Sequence, residues 1–208
     1  MKISRFEAST LQRPLRLSLV AGPTGSGKST LTRALSSLYK ELTVVVEPDV
    51  HRLHGSTRSP TWYETQLAVV RLREEELLRV VTPVAVMDRH FSEDRAVFFR
   101  MHRELRHVSI EEYEALVAEA LLIERRVPPL ESVVYVTAAD DILRTRMRRS
   151  GQPRWLVDTL EMQLDLYAGW LQRRSERVMQ IDTSHESIEE AASAALDWIL
   201  ANRRGASA

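Results

Sequence analysis

The stretch that decides the fold runs from Leu15 to Thr30 and reads "LRLSLVAGPTGSGKST". Its first half is a short run rich in leucine and valine, which predicts a strand over 15–20. Its second half matches G-x-x-x-x-G-K-[ST] at Gly22, Gly27, Lys28 and Ser29, with a helical pattern over 28–38 following it. Strand, glycine-rich turn and helix in that order build a phosphate cradle. Glycines let backbone N–H groups wrap phosphate oxygens, and the helix N-terminus adds its positive end. A lysine in the loop suits β- and γ-phosphates, and the serine hydroxyl suits Mg²⁺. Gly22, Pro23, Thr24, Gly25, Ser26, Gly27, Lys28, Ser29 and Thr30 therefore read as a nucleoside-triphosphate site. The motif does not say what the triphosphate is used for.

Working outward, short apolar runs alternate with longer helical patterns. Strands are expected over 15–20, 43–46, 84–87, 132–136 and 178–181. Helices are expected over 28–38, 61–80, 92–106, 110–125, 140–149, 156–174 and 188–202. Ser109 and Glu112 have the spacing of a capping box. Alternation of this kind predicts an α/β fold, a five-stranded parallel sheet with helices on both faces. Ligands of such sheets bind beyond the carboxyl ends of the strands, so the residues just after each strand carry the information.

Composition narrows the classes. The chain has 208 residues, a length that suits one domain over 1–208 and buries about 70% of the unfolded surface. Its net charge is zero, which argues against a nucleic-acid-binding protein with a broad basic surface. Cysteine is absent, so disulfides and thiolate metal sites are excluded. The first residues hold no apolar run of signal-peptide length, and no run has the length of a membrane span. The expectation is a cytoplasmic protein that contacts neither membrane nor nucleic acid.

The strand ends supply the chemistry. After the second strand, Glu47 is the first polar residue, followed by Pro48. A carboxylate there can accept a proton from an acceptor hydroxyl, or simply open a loop. After the third strand comes "DRHFSED". Asp88 can hold Mg²⁺ directly or through water, and Arg89 offers a planar fork to phosphoryl oxygens. Glu93 and Asp94 fall in a first helical turn, where acidic residues also complement the helix dipole. Between these strands, Gln66 and Arg73 lie two turns apart on one helix face, with Trp62 a turn earlier. They can line a pocket for a flat heterocycle or form a solvated face. After the fourth strand, Arg144, Arg146, Arg148, Arg149 and Arg154 flank Ser150-Gly151-Gln152-Pro153. An arginine-rich lid over about 144–155 would close on transferring phosphates; the competing reading is a basic patch, which the zero net charge disfavours.

Taken together, these residues resemble the deoxynucleoside kinase family of P-loop phosphotransferases. The resemblance rests on "GPTGSGKST", Glu47-Pro48, Gln66 with Arg73, "DRHFSED", "EEYEALVAEALL", "VVYVTAADDILRTRM" and "LDLYAGW". It implies a three-layer P-loop kinase fold that uses ATP and Mg²⁺ to phosphorylate the 5′-hydroxyl of a nucleoside-like small molecule. Lys28, Glu47 and Arg89 would be catalytic, with Glu47 as general base and Arg89 on the hydroxyl and the moving phosphoryl group. Ser29 and Asp88 would hold Mg²⁺. Gln66, Arg73 and Asp94 would read the base beside Trp62. Arg146 would be the lid arginine on ATP, with Arg148 and Arg149 beside it. The resemblance also suggests a homodimer, for which residues 110–123 offer Tyr113, Leu116, Val117, Ala120 and Leu121 at helical spacing; the same stripe would equally serve the protein's own core.

Two departures stand out. His90 occupies the position of the family's serine after D-R, and the lid lacks the family's acidic pair. The alternative readings are a thymidylate-kinase-like monophosphate kinase, which would draw on Arg52, Arg58 and Arg71, and a zeta-toxin-like or antibiotic-type kinase, suggested by "PDVHRLH" at 48–54. The pattern of the monophosphate enzymes places an arginine before Glu-Pro; here that residue is Val46. A P-loop module that uses ATP as a conformational signal is the non-enzymatic alternative.

Overall fold

The computed structural model describes residues 15–48, 60–185 and 187–201. Five parallel strands, β1 (Arg16–Ala21), β2 (Leu42–Val45), β3 (Val84–Asp88), β4 (Leu130–Thr137) and β5 (Arg177–Asp182), form one sheet in the order β2-β3-β1-β4-β5. The central strands are buried on both faces, which explains their near-continuous apolar sequence. Alternation divides them between two cores. Leu17, Leu19, Ala85, Met87, Val133 and Tyr135 belong to one. Val20, Val86, Val134 and Val136 belong to the other, where α1 (Lys28–Leu38) contributes Leu31 and Leu35 and α9 (Ile188–Ala201) contributes Ala195 and Ile199.

The first core is covered by α2 (Trp62–Leu78), α5 (Ile110–Glu124), α8 (Leu160–Leu171) and the segment that follows β3. Thr61 and Glu64 form a capping box on α2, and Ser109 and Glu112 form the expected one on α5. On α5, Leu116 and Ala120 are fully buried in the protein's own core, while Tyr113 and Val117 pack against it. The stripe therefore serves the core, and Leu121 is its one exposed member.

Two segments differ from the helices expected over 92–106 and 156–174. The first is α3 (Phe91–Glu93), a π turn (Asp94–Phe98) and α4 (Phe99–Glu104). At the π turn the Phe99 N–H bonds to the Asp94 carbonyl, five residues back. That widening lets Asp94 and Phe98 both approach the side chain of Arg89, and such bulges recur at functional positions. The second is interrupted at Thr159, whose hydroxyl donates to the Leu156 carbonyl at 3.0 Å and closes α7 (Arg154–Asp158) before α8 starts.

Candidate active site

The P-loop conformation depends on glycine at named points. Gly27 caps α1 at φ 97°, in the left-handed region. Gly22 has φ 150°, and a Cβ there would sit 2.0 Å from the Val136 carbonyl oxygen, so no larger residue fits between β1 and β4. Lys28 folds back over the loop. Its ammonium donates to the carbonyls of Gly22 (2.7 Å) and Pro23 (3.1 Å). Burial lowers its pKa, against the opposing pull of Asp88 and Glu93. The Ser29 hydroxyl donates to the Asp88 carboxylate at 2.8 Å, so the two expected metal ligands stand side by side.

The end of β3 brings most of the expected acceptor residues together. Arg89 is a non-glycine residue with φ 75°, a costly conformation that persists only where its surroundings impose it. Three contacts do so here. Its guanidinium donates to Glu47 at 2.5 Å, lies 3.5 Å from the centre of the Phe98 ring, and stands 3.7 Å from the Asp94 carboxylate. Burial opposes the charge on Arg89, but Glu47, Asp94 and Glu93 outweigh it and raise its pKa. Burial likewise opposes the Glu47 carboxylate, yet Arg89, Arg73 and Lys28 together hold its pKa below the ordinary value. Glu47 is thus ionised at neutral pH with a part-exposed side chain, as a proton acceptor must be.

Asp94 is not a surface residue complementing a helix dipole. It is fully buried and ion-paired with Arg73, itself fully buried on α2. Nε and Nη2 of Arg73 and Oδ1 of Asp94 are buried without hydrogen-bond partners in the protein, and so is Oε1 of Gln66 on the same face of α2. Trp62 goes elsewhere. It stacks on His107 with centroids 5.0 Å apart, and Trp155 of α7 meets it edge-on at 5.4 Å.

Three residues at the loop were not singled out for this role in the sequence. Gln163 and Tyr167 lie one turn apart on α8 and both face the P-loop. The Gln163 carbonyl accepts from the backbone and hydroxyl of Thr24 at 3.2 and 3.1 Å. The Tyr167 hydroxyl donates to the Gly22 carbonyl at 2.6 Å and also touches the Glu93 carboxyl. Glu93, fully buried, in turn accepts from the N–H groups of Gly22 and His90. The one available signal was the i, i+4 spacing of Gln163 and Tyr167 within "LEMQLDLYAGW".

The arginine-rich segment is more structured than a flexible lid. Arg146 on α6 (Asp140–Arg149) is engaged with β5's far end rather than free to close as a lid. It donates to the hydroxyl and carbonyl of Thr183, both at 2.8 Å, and the Thr183 hydroxyl contacts the Ser26 carbonyl of the P-loop at 2.9 Å. Arg144 ties α6 to the Val157 carbonyl of α7 at 2.9 Å, and Leu143, Met147, Val157 and Leu160 share a small core. Arg148 and Arg149 are exposed. Of the residues the alternative readings used, Arg52, Arg58 and 49–54 lie outside the described residues, and Arg71 is exposed and paired with Glu119 at 2.7 Å.

The arrangement combines a glycine-rich loop between β1 and α1, a hydroxyl–carboxylate pair at Ser29 and Asp88, and an ionised carboxylate, Glu47, held by Arg89. Among the described residues no group of three or more His, Asp or Glu could hold a metal alone. Ser29 and Asp88 suit Mg²⁺, which keeps most of its shell as water and phosphate oxygens and needs few protein ligands. A family model described as deoxynucleoside kinase matches residues 19–195 of the chain. No curated protein matches it.

Proposed function

The chain belongs to the deoxynucleoside kinase family, whose members are ATP-dependent kinases, and on that premise we propose that it transfers the γ-phosphoryl group of ATP to the 5′-hydroxyl of a nucleoside or nucleoside-like small molecule. The observation that carries this reading is the Glu47–Arg89 pair beside the P-loop, with Asp94 on the other side of Arg89. A neutral hydroxyl needs a base as it attacks, and an ionised carboxylate at this place supplies one. A monophosphate acceptor would be repelled by it.

In this reading Gly22 to Thr30 cradle the phosphates, and Lys28 leaves the Gly22 and Pro23 carbonyls to bind the β- and γ-oxygens. Ser29 and Asp88 hold Mg²⁺, which when bound neutralises charge on those oxygens. Glu47 takes the proton as the hydroxyl oxygen bonds to the γ-phosphorus and the bond to the bridging oxygen breaks, releasing ADP. Arg89 supports the moving phosphoryl group. Gln66, Arg73 and Asp94 read the base. Arg146 acts through Thr183 on the loop, a positioning role. Trp62, stacked on His107, is left out of the acceptor site. A homodimer, if formed, would use Ile110, Leu121 and Leu122, exposed on α5; light scattering at tens of micromolar measures it.

The test is a panel of ribo- and deoxyribonucleosides and their monophosphates with ATP and Mg²⁺, read as ADP formed. The expected result is turnover with at least one nucleoside and none with monophosphates. Turnover with monophosphates alone would replace this reading by the thymidylate-kinase-like one.

A further inference from the structure

Three consecutive residues at the apex of the P-loop are held by the unit that α6, α7 and the start of α8 form. Gly25, at φ 84°, is packed directly: a Cβ there would come 3.0 Å from the Leu143 carbonyl oxygen and 3.0 Å from the Met147 side chain. Ser26 is reached through Thr183, which Arg146 binds in turn. Thr24 is held by Gln163, a fully buried residue of α8. The unit has a small core of its own, built on Leu143, Met147, Val157 and Leu160, apart from the two cores of the sheet.

The contact through Gln163 needs a carboxamide. Its oxygen accepts from the Thr24 N–H at 3.2 Å and from the Thr24 hydroxyl at 3.1 Å, and its NH₂ group donates to the Leu156 carbonyl of α7 at 3.4 Å. The Thr24 N–H can only donate and the Leu156 carbonyl can only accept, so the amide has a single orientation; turning it over would set N–H against N–H and oxygen against oxygen. The peptide unit between Pro23 and Thr24 is thereby fixed at both ends. Its N–H is taken by Gln163, and its carbonyl accepts from Lys28 at 3.1 Å and from the Ser26 N–H at 3.2 Å.

Phosphate binding at the loop draws Lys28 away from that carbonyl, and Gln163 then keeps the N–H side of the peptide turned toward α8. If α7 moved away, the Gln163 NH₂ group would lose Leu156; if the loop moved, the Gln163 oxygen would lose both donors. Unpaired buried polar groups are costly, so the two ends of the amide are linked in energy. We propose that Gln163 is a positioning residue for the nucleotide, which fixes the P-loop at Thr24 and, through Leu156, makes α7 and the loop respond to nucleotide together. The proposal rests on the reading that the P-loop binds ATP.

The experiment joins calorimetric titration with ATP and Mg²⁺, without acceptor, to hydrogen exchange read by mass spectrometry at the P-loop and at α7. In the wild type, saturating ATP should slow exchange in both segments. Gln163→Met keeps the length and bulk of the side chain and removes the amide. It should bind ATP about tenfold more weakly, the order of one lost hydrogen bond. Once saturated it should still show slowing at the P-loop and none at α7. Thr24→Val removes only the hydroxyl donor. It should weaken ATP binding about two- to threefold in the wild-type background and no further in Gln163→Met, a non-additivity that a packing role would not produce. If circular dichroism shows that Gln163→Met does not fold, Thr24→Val alone decides, through weaker ATP binding and a smaller response at α7. The proposal is overturned if ATP slows the P-loop but not α7 in the wild type, if Gln163→Met binds ATP as tightly or responds at α7 as the wild type does, if the two losses add, or, where Gln163→Met does not fold, if Thr24→Val matches the wild type. A wild-type protein that binds no ATP at all would overturn the kinase reading along with it, and calorimetry alone tells that case from the others.

Discussion

The hydroxyl of Tyr167 stands between the Glu93 carboxyl and the Gly22 carbonyl, and it has one proton for two oxygen neighbours. If Tyr167 donates to Gly22, the contact with Glu93 needs a proton on the carboxyl. The chain is then Glu93 to Tyr167 to Gly22. Burial raises the Glu93 pKa to about 7, and Lys28 and Arg89 only partly oppose it. Near neutrality Glu93 is poised between a protonated form that completes this chain and an ionised form that breaks it.

A pH dependence of stability follows. In the unfolded chain Glu93 ionises near 4.5, whereas in the folded protein it holds its proton to about 7. Between these values the folded state binds the extra proton, so stability is full below about pH 4.5 and falls as pH rises toward 7. The loss is on the order of 3 kcal/mol, because each tenfold change in proton affinity is worth about 1.4 kcal/mol. Glu93→Gln keeps the shape without the titration and should flatten this part of the profile. Urea unfolding at a series of pH values measures it, and an unchanged slope in the variant would remove Glu93 from the account.

Tyr167→Phe leaves the Gly22 carbonyl with only the Lys28 ammonium, which the proposed mechanism needs elsewhere. The expected cost in stability is about 1–3 kcal/mol, the range for a buried polar partner left unpaired. The nucleotide KM should rise as well, because Lys28 is then held more strongly in the loop. A variant with lower stability and an unchanged nucleotide KM would assign Tyr167 to packing alone.

Much of this architecture was legible because the central strands are buried on both faces and so read as apolar runs, and because the P-loop needs glycine where other residues would collide, as at Gly22 against Val136. The π turn was not legible: "DRAVF" contains neither glycine nor proline, and its register is set by the contacts of Asp94 and Phe98 with Arg89. Nor was the pairing of Tyr167 with Gly22, which joins residues 145 positions apart. Glu93 has the sequence context of a dipole-complementing residue, and only the folding of α8 over it makes it a buried acid. Arg146 was legible as a basic residue near the phosphates but not in its direction, which Thr183 determines.

For Lys28 the expectation is simple. Lys28→Ala should abolish phosphoryl transfer and leave the fold intact, since the lysine contacts only loop carbonyls. Ser29→Ala or Asp88→Asn should instead raise the Mg²⁺ concentration for half-maximal rate. Circular dichroism separates these effects from unfolding, and normal turnover in Lys28→Ala would reject the P-loop assignment.

Gln66 is the cleaner probe of base recognition. Asp94→Asn would break a fully buried ion pair with Arg73, a change that costs about 3–5 kcal/mol and confuses recognition with folding. Gln66→Leu removes an amide whose Oε1 has no partner in the protein. The variant should fold normally, keep its ATP KM, and change the ranking of nucleoside bases. An unchanged ranking would place Gln66 outside the acceptor site.

Glu47 is where the choice of acceptor turns. Its carboxylate is bound by Arg89 and kept ionised by Arg89, Arg73 and Lys28. Because its pKa lies below the ordinary glutamate value, base catalysis should persist into mildly acid solution, with kcat falling only below that range. Glu47→Gln keeps size and one hydrogen bond to Arg89 while removing the base. General-base help is worth about 10²–10⁴-fold, or roughly 3–5 kcal/mol of barrier. With a nucleoside acceptor, kcat should drop by about that factor while the acceptor KM changes little. With a monophosphate acceptor the same change would be mild or favourable, because it removes a like charge near the phosphate. Steady-state kinetics on the best acceptor decides between them, and a variant within a few-fold of wild type would leave Glu47 as no more than the partner that holds Arg89 in its strained conformation.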